Sequence, residues 1–163
     1  MRRIVLACFL VLAACGDEGP SGTDYSGSYP GEFYAIATST APAERDSLPG
    51  GNVTLTLDRS DDNRYQFSST TELGGSVGEI VINDAGAVSF PLFDEPESLE
   101  LISSLFTGIC DLSSAVVTPS GSVVNNHLTI TLLATGGTCD WSAGQGTDVR
   151  PTQIQLTWTG TRS

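Results

Sequence analysis

Gln153-Ile154-Gln155-Leu156-Thr157-Trp158-Thr159 alternates without a break. Ile154, Leu156 and Trp158 fall on one side of an extended chain, and the glutamines and threonines fall on the other. A period of two is the mark of a strand with one buried face. Threonine on the wet face suits a strand, because its β-branch is comfortable on a pleat and costly in a helix. The same pattern recurs upstream. Val53, Leu55 and Leu57 alternate with Thr54, Thr56 and Asp58, Tyr65 and Phe67 with Gln66 and Ser68, and Leu128, Ile130 and Leu132 with Thr129 and Thr131. Ile80 and Ile82 flank Val81, and Asn83-Asp84-Ala85-Gly86 reads as a turn into Val88, Phe90 and Leu92.

These runs predict strands near 27–38, 52–58, 64–70, 78–83, 87–93, 115–124, 127–135 and 152–161. Eight strands joined mostly by short turns predict an all-β fold, an antiparallel up-and-down barrel. A β-sandwich is the alternative. One segment breaks the pattern. Asp94-Glu95-Pro96-Glu97 has the acids and early proline of a helix start, and Leu99, Ile102, Leu105 and Phe106 follow at helical spacing. The expectation is a short helix near 96–106 that plugs one barrel end. The carboxylates Asp94, Glu95, Glu97 and Glu100 then belong to that helix start rather than to a paired-acid catalytic site.

The 163 residues carry a formal charge of −12, with seven basic residues, all arginine, against nineteen acids. A surface this acidic repels phosphate, so nucleic acid is excluded as a partner. The N-terminus has its own logic. Arg2 and Arg3 precede the apolar run Ile4 to Leu12, and small residues follow, the layout of a secretory signal. The apolar run is far shorter than the roughly 20 residues a membrane-spanning helix needs. Leu12-Ala13-Ala14-Cys15 ends it, and Gly16 to Asp24 is small, polar and acidic, the composition of a flexible tether. This divides the chain into a signal at 1–14, a tether at 15–25 and one domain at 26–163.

Four cysteines sort by position. Cys8 lies in the signal and Cys15 at its end, which leaves Cys110 and Cys139. In an oxidising compartment such a pair forms a disulfide. If Asn125-Asn126 is a two-residue turn, residues paired across strands 115–124 and 127–135 have numbers adding to 251, and the two cysteines miss that sum by two. A bulge near Pro119-Ser120-Gly121 would absorb the offset. A bridge closing this loop stabilises the fold by about 3.5 kcal/mol on the chain-entropy model.

Leu12-Ala13-Ala14-Cys15 resembles the lipobox of bacterial lipoproteins. That resemblance implies acylation of Cys15 (a palmitate-type anchor), cleavage before it, and a mature chain with five arginines against nineteen acids. It places the protein in the cell envelope, lipid-anchored, on the periplasmic or surface face of the outer membrane. A barrel whose first strand opens with Gly27-Ser28-Tyr29 is also similar to lipocalins, where a G-x-W stands at this place and its ring closes the barrel floor. Here tyrosine replaces tryptophan. The connection Thr38 to Gly51 is long enough to cover a lipocalin mouth. The resemblance implies a small apolar ligand held among Tyr34, Tyr65, Phe67, Phe90 and Trp158. The same rings otherwise fill the core. A protein partner in the envelope is the alternative, reached by an outer face or loop.

No constellation for catalysis survives inspection, and no cofactor is expected. Gly74-Gly75-Ser76-Val77-Gly78 matches G-x-S-x-G, but a nucleophile elbow needs a strand before it and a helix after it. His127 is the single histidine and stands beside a predicted turn. Asp58, Asp61, Asp62 and Asn63 offer oxygens, yet their spacing is not that of an EF-hand and Arg59 and Arg64 compete for them. They read as a solvated hairpin tip.

Overall fold

A computed structural model describes residues 22–40, 42–48, 50–69, 77–106, 109–142 and 146–163. The signal, Cys15, most of the tether and Ser76 lie outside the described residues. In chain order the elements are β1 (Gly27–Thr40), β2 (Ala43–Leu48), β3 (Asn52–Asp61), β4 (Arg64–Ser69), β5 (Val77–Ile82), β6 (Ala87–Ser89), α1 (Glu95–Leu105), β7 (Cys110–Asp111), β8 (Val116–Val124), β9 (His127–Asp140) and β10 (Val149–Thr161).

Eight of these strands close a ring in which every neighbour is antiparallel: β1, β3, β4, β5, β6, β8, β9 and β10, with β10 returning to β1. The all-β barrel expected from the alternation is therefore the fold, and the sandwich is not. Turn chemistry sets the registers. Asn125 and Asn126 both take positive φ (50° and 66°), the backbone of the two-residue turn that matches strand twist. Paired residues across β8 and β9 add to 251 from Val116↔Thr135 to Val124↔His127. At 83–86 the Asn83 side-chain oxygen accepts from the backbone N–H of Ala85 and of Ala87. Gly86, at φ 79°, packs so close to Val123 that a Cβ would lie 2.2 Å from its carbonyl oxygen.

The structure departs from the sequence reading in four places. The connection Thr38 to Gly51 is not a loop over a mouth. It carries β2, paired with β1 from Ala35↔Leu48 to Thr40↔Ala43. β2 and β3 pair with successive stretches of β1, and Phe33 N–H donates to Gly51 O between them (3.0 Å). Gly50 permits this approach, since a Cβ there would sit 1.0 Å from Phe33 O. Second, the strand expected at 87–93 stops at Ser89, before Pro91, and leaves Leu92 78% exposed instead of inward. Third, the ladder through Pro119–Gly121 is unbroken. The two-residue offset falls at Leu112–Ala115, where Ala115 N–H donates to Leu112 O and β7 re-enters with Cys110↔Cys139. Pro119 is tolerated because β6 reaches β8 only at Gly121 and Ser122, so its missing N–H costs no ladder bond. Fourth, residues 22–25 are not free tether: Thr23 and Tyr25 are hydrogen-bonded to Tyr65 and Tyr29 of the barrel.

Two clusters fill the interior. The lower one joins Tyr29, Leu55, Leu57, Tyr65, Ile80, Ile82, Leu128 and Trp158 with their neighbours. The upper one joins Ala35, Ala37, Ala115, Ala134, Ile154 and Leu156 of the wall with Ile102 and Phe106 at α1. The expected helix is thus present, shifted by one residue, and covers the upper end. There the wall is the sheet β2-β1-β10-β9-β7. Asp94 O accepts the first helical N–H, from Ser98, and Glu95 Oε1 accepts Val117 N–H (2.9 Å) on the β8 edge that β6 does not reach. The helix takes over where a sheet neighbour is lacking.

Candidate functional site

The rings proposed to line a cavity separate by strand parity. Tyr65 is fully buried and Trp158 is 7% exposed, and both spend their polar atoms inside the protein. Trp158 Nε1 donates to Val53 O (3.1 Å). Tyr65 Oη donates to Thr23 O and accepts from Tyr25 N–H, both at 3.2 Å. Phe67 and Phe90 are half-buried against the lower cluster. Tyr34 corrects the expectation: it is 38% exposed, on the outer face. On β1 the odd positions Tyr29, Ala35 and Ala37 point inward, so an even-numbered ring cannot.

Tyr29, the ring that stands at the G-x-W place, is buried as well, although it is not among the five rings expected around a ligand. It is fully buried, and its hydroxyl donates to Tyr25 O at 2.7 Å. Burial pushes its pKa up from 10.0. Together Tyr29 and Tyr65 need acceptors at the barrel's lower end, and the segment Thr23–Tyr25 supplies them. The Tyr25 ring meets Tyr65 edge-on at 6.2 Å, Arg162 Nη1 donates to Asp24 O (3.0 Å), and Ser26 N–H on the Asp24 carboxylate lowers its pKa. A strap therefore closes the lower end. Sequence alone carried a signal for it, since a fully inward tyrosine requires a partner for its hydroxyl.

At the upper end Cys110 and Cys139 form the expected disulfide. The carboxylates next to them in sequence are held ionised by local donors. Ser113 N–H lowers the pKa of Asp111, and the Ser142 hydroxyl, with Gly146 N–H and Ser142 N–H, lowers that of Asp140. Arg150 bonds Asp148 and reaches Glu44 of β2 at 3.0 Å. A cleft between α1 and β7, lined by Leu99, Glu100, Ser103, Cys110, Asp111 and Leu112 among others, lies beside the bridge.

The second cleft lies on the outer wall. Pro30, Glu32, Asn52, Thr54, His127, Thr159 and Thr161 surround a recess of about 500 Å³. His127 Nδ1 and Thr161 Oγ1 share a hydrogen bond of 2.9 Å. Above the recess Thr131 and Thr157 hydroxyls lie 3.3 Å apart, and Gln155 Nε2 donates to Thr157 Oγ1 (3.0 Å). The acids at the β3–β4 hairpin lie elsewhere, with Asp62 3.7 Å from Arg59. Among the described residues no three His, Cys, Asp or Glu side chains group as metal ligands. No described helix is long and apolar enough to cross a membrane.

No family model matches the chain, and no curated protein matches it. Two solved structures from Bacteroides ovatus resemble it. One is a multidomain protein including DUF1735, 11% identical, with TM-score 0.27, covering 83% of this chain and 48% of that one. The other is a structural-genomics protein of unknown function, 11% identical, with TM-score 0.28, covering 83% of this chain and 47% of that one. The chain spans about half the length of these two structures.

Proposed function

We propose that this is a lipid-anchored protein of the bacterial cell envelope, acylated at Cys15, whose barrel is filled by its own side chains and which works by non-catalytic binding at its outside. The observation supporting an outside-working module is the packing of the interior. The inward rings Tyr29, Tyr65 and Trp158 are buried with their polar atoms bonded to protein, and both clefts described above lie on the outer surface. The lipobox at Leu12–Cys15 supports the anchor, and a disulfide fits an extracytoplasmic compartment.

Two measurements test this reading. Metabolic labelling with an alkyne-tagged palmitate should mark the wild-type chain and not Cys15→Ala, with the label in the membrane fraction. Unlabelled wild-type protein would remove the anchor. Native mass spectrometry of the purified barrel should give the mass of the chain with its acyl groups alone. A co-purified apolar small molecule released by solvent would replace this reading with that of a carrier.

A further inference from the structure

The outer wall of β8, β9, β10 and β1 differs from the rest of this acidic protein. The strand registers align its outward positions in rows: Ser122, Thr129, Thr159 and Glu32; Ser120, Thr131, Thr157 and Tyr34; Thr118, Leu133, Gln155 and Ile36. Glu32 is the one charge in these rows, although the chain carries nineteen acids. The rest is hydroxyl, amide and aliphatic, with the exposed Tyr34 ring set among them; Thr157, its partner on β10, is itself buried, its hydroxyl bonded to Thr131 and Gln155. The recess holding Glu32, Asn52, His127, Thr159 and Thr161 opens on the same wall.

We propose that this wall binds a neutral glycan, with Tyr34 as the stacking platform and the recess as the polar subsite. The chemistry of the rows carries the choice of ligand. Hydroxyls and amides both donate and accept, which is what sugar hydroxyls require, and a lone carboxylate accepts two hydroxyls of a diol. An exposed tyrosine offers an apolar face for sugar C–H groups and a hydroxyl at its edge. Strand spacing of about 4.8 Å sets neighbouring side chains within a row at intervals close to one pyranose ring, and the rows follow one another about 6.8 Å apart along the strands. The recess, at about 500 Å³, is open to solvent, so it can receive the edge of a sugar chain without enclosing it. Anionic ligands are repelled by the net charge of −12. A protein partner is disfavoured because protein interfaces concentrate aromatic, Met and Arg residues, and these rows hold one tyrosine and no arginine. The inference deepens the outside-working reading and does not depend on the lipid.

Affinity electrophoresis of the folded domain through gels containing hydroxyethyl cellulose, xylan or dextran tests it, with alginate as the anionic control. At least one neutral glycan should retard the protein, and alginate should not. Tyr34→Ala and Glu32→Gln should each weaken retardation by about tenfold, with an unchanged circular-dichroism spectrum because both side chains are on the surface. Gln66→Ala, outward on β4, should bind as wild type. No retardation in any neutral gel, or retardation indifferent to both wall substitutions, overturns the proposal. If those gels fail while crosslinking from this wall captures an envelope protein, the glycan inference falls and the outside-working module stands.

Discussion

The two halves of the barrel are closed by opposite means. Below, the wall supplies bulk: Tyr29, Leu57, Tyr65, Ile80, Ile82 and Trp158 meet across the interior, and a short strap satisfies the tyrosine hydroxyls. Above, the wall supplies space. Ala35, Ala37 and Ala134 keep β1 and β9 thin, Ala115 does the same just before β8, and Ile102 and Phe106 of the helical segment occupy the room they leave. A barrel needs about the same volume of side chain at each level, and this chain obtains it from the strands in one half and from an inserted helix in the other. The upper half consequently depends on elements outside the ring, the helix and the disulfide.

That contrast predicts graded effects. Trp158→Ala removes the largest inward ring of the lower half along with its bond to Val53 O, and should cost about 3–5 kcal/mol in urea unfolding. A loss below 1 kcal/mol would mean that the lower cluster does not carry the fold. Replacing Cys110 and Cys139 together by alanine should cost about 3.5 kcal/mol. Hydrogen exchange should then quicken first in α1 and β7, and uniform acceleration across both halves would dissolve the distinction. Tyr65→Phe keeps the ring and removes the hydroxyl that both donates to Thr23 O and accepts from Tyr25 N–H. About 1–2 kcal/mol should be lost, with new proteolytic access at residues 22–26 and none at the upper end.

The smallest effects are in pH. Tyr29 has a raised folded pKa, so its contribution is complete below the unfolded value of about 10 and is lost as pH rises beyond it. The strap end should loosen first in alkali, and Tyr29→Phe should flatten that limb. Asp111 and Asp140, beside the disulfide, have lowered folded pKa values. Their contribution is present above the unfolded value of about 3.9 and disappears as pH falls through the folded one. Asp24, its pKa lowered by Ser26 N–H, makes the strap end acid-sensitive too, so the alkaline limb is the sharper discriminator. A pH–stability profile of wild type against Tyr29→Phe checks it.

Where the sequence was informative, it was because one face of a strand is dry. The alternation at 53–57, 65–67, 128–132 and 154–158 yielded the strands, Asn125-Asn126 yielded the β8–β9 register, and the spacing from Leu99 to Phe106 yielded the helix. β2 escaped because Ala43-Glu44-Arg45-Asp46-Ser47 is exposed throughout, so no apolar alternation records it. Its strand conformation comes from pairing with β1, a tertiary cause. Ring size suggests an inward Tyr34, but strand parity decides, and Ala35 and Ala37 are the inward residues. The outer rows stayed invisible for a related reason: threonines on a wet face look like solvation until registers align them across four strands. The strap lay in a segment whose composition reads as tether, and only the buried hydroxyls of Tyr29 and Tyr65 explain why it is held.

The strap also has a mechanical meaning. A tug on the chain from its N-terminal side is delivered first to the bonds at Tyr65 and Tyr29, then to β1, which is gripped by β3 along Gly27–Glu32 and by β10 along Gly31–Ser39. Load applied along a strand held on both flanks shears many bonds together instead of unzipping them singly. A pull from that end therefore meets these bonds together, and the C-terminal residues Arg162 and Ser163, bonded to Asp24 O and Ser28 O, tie off the same stretch of chain.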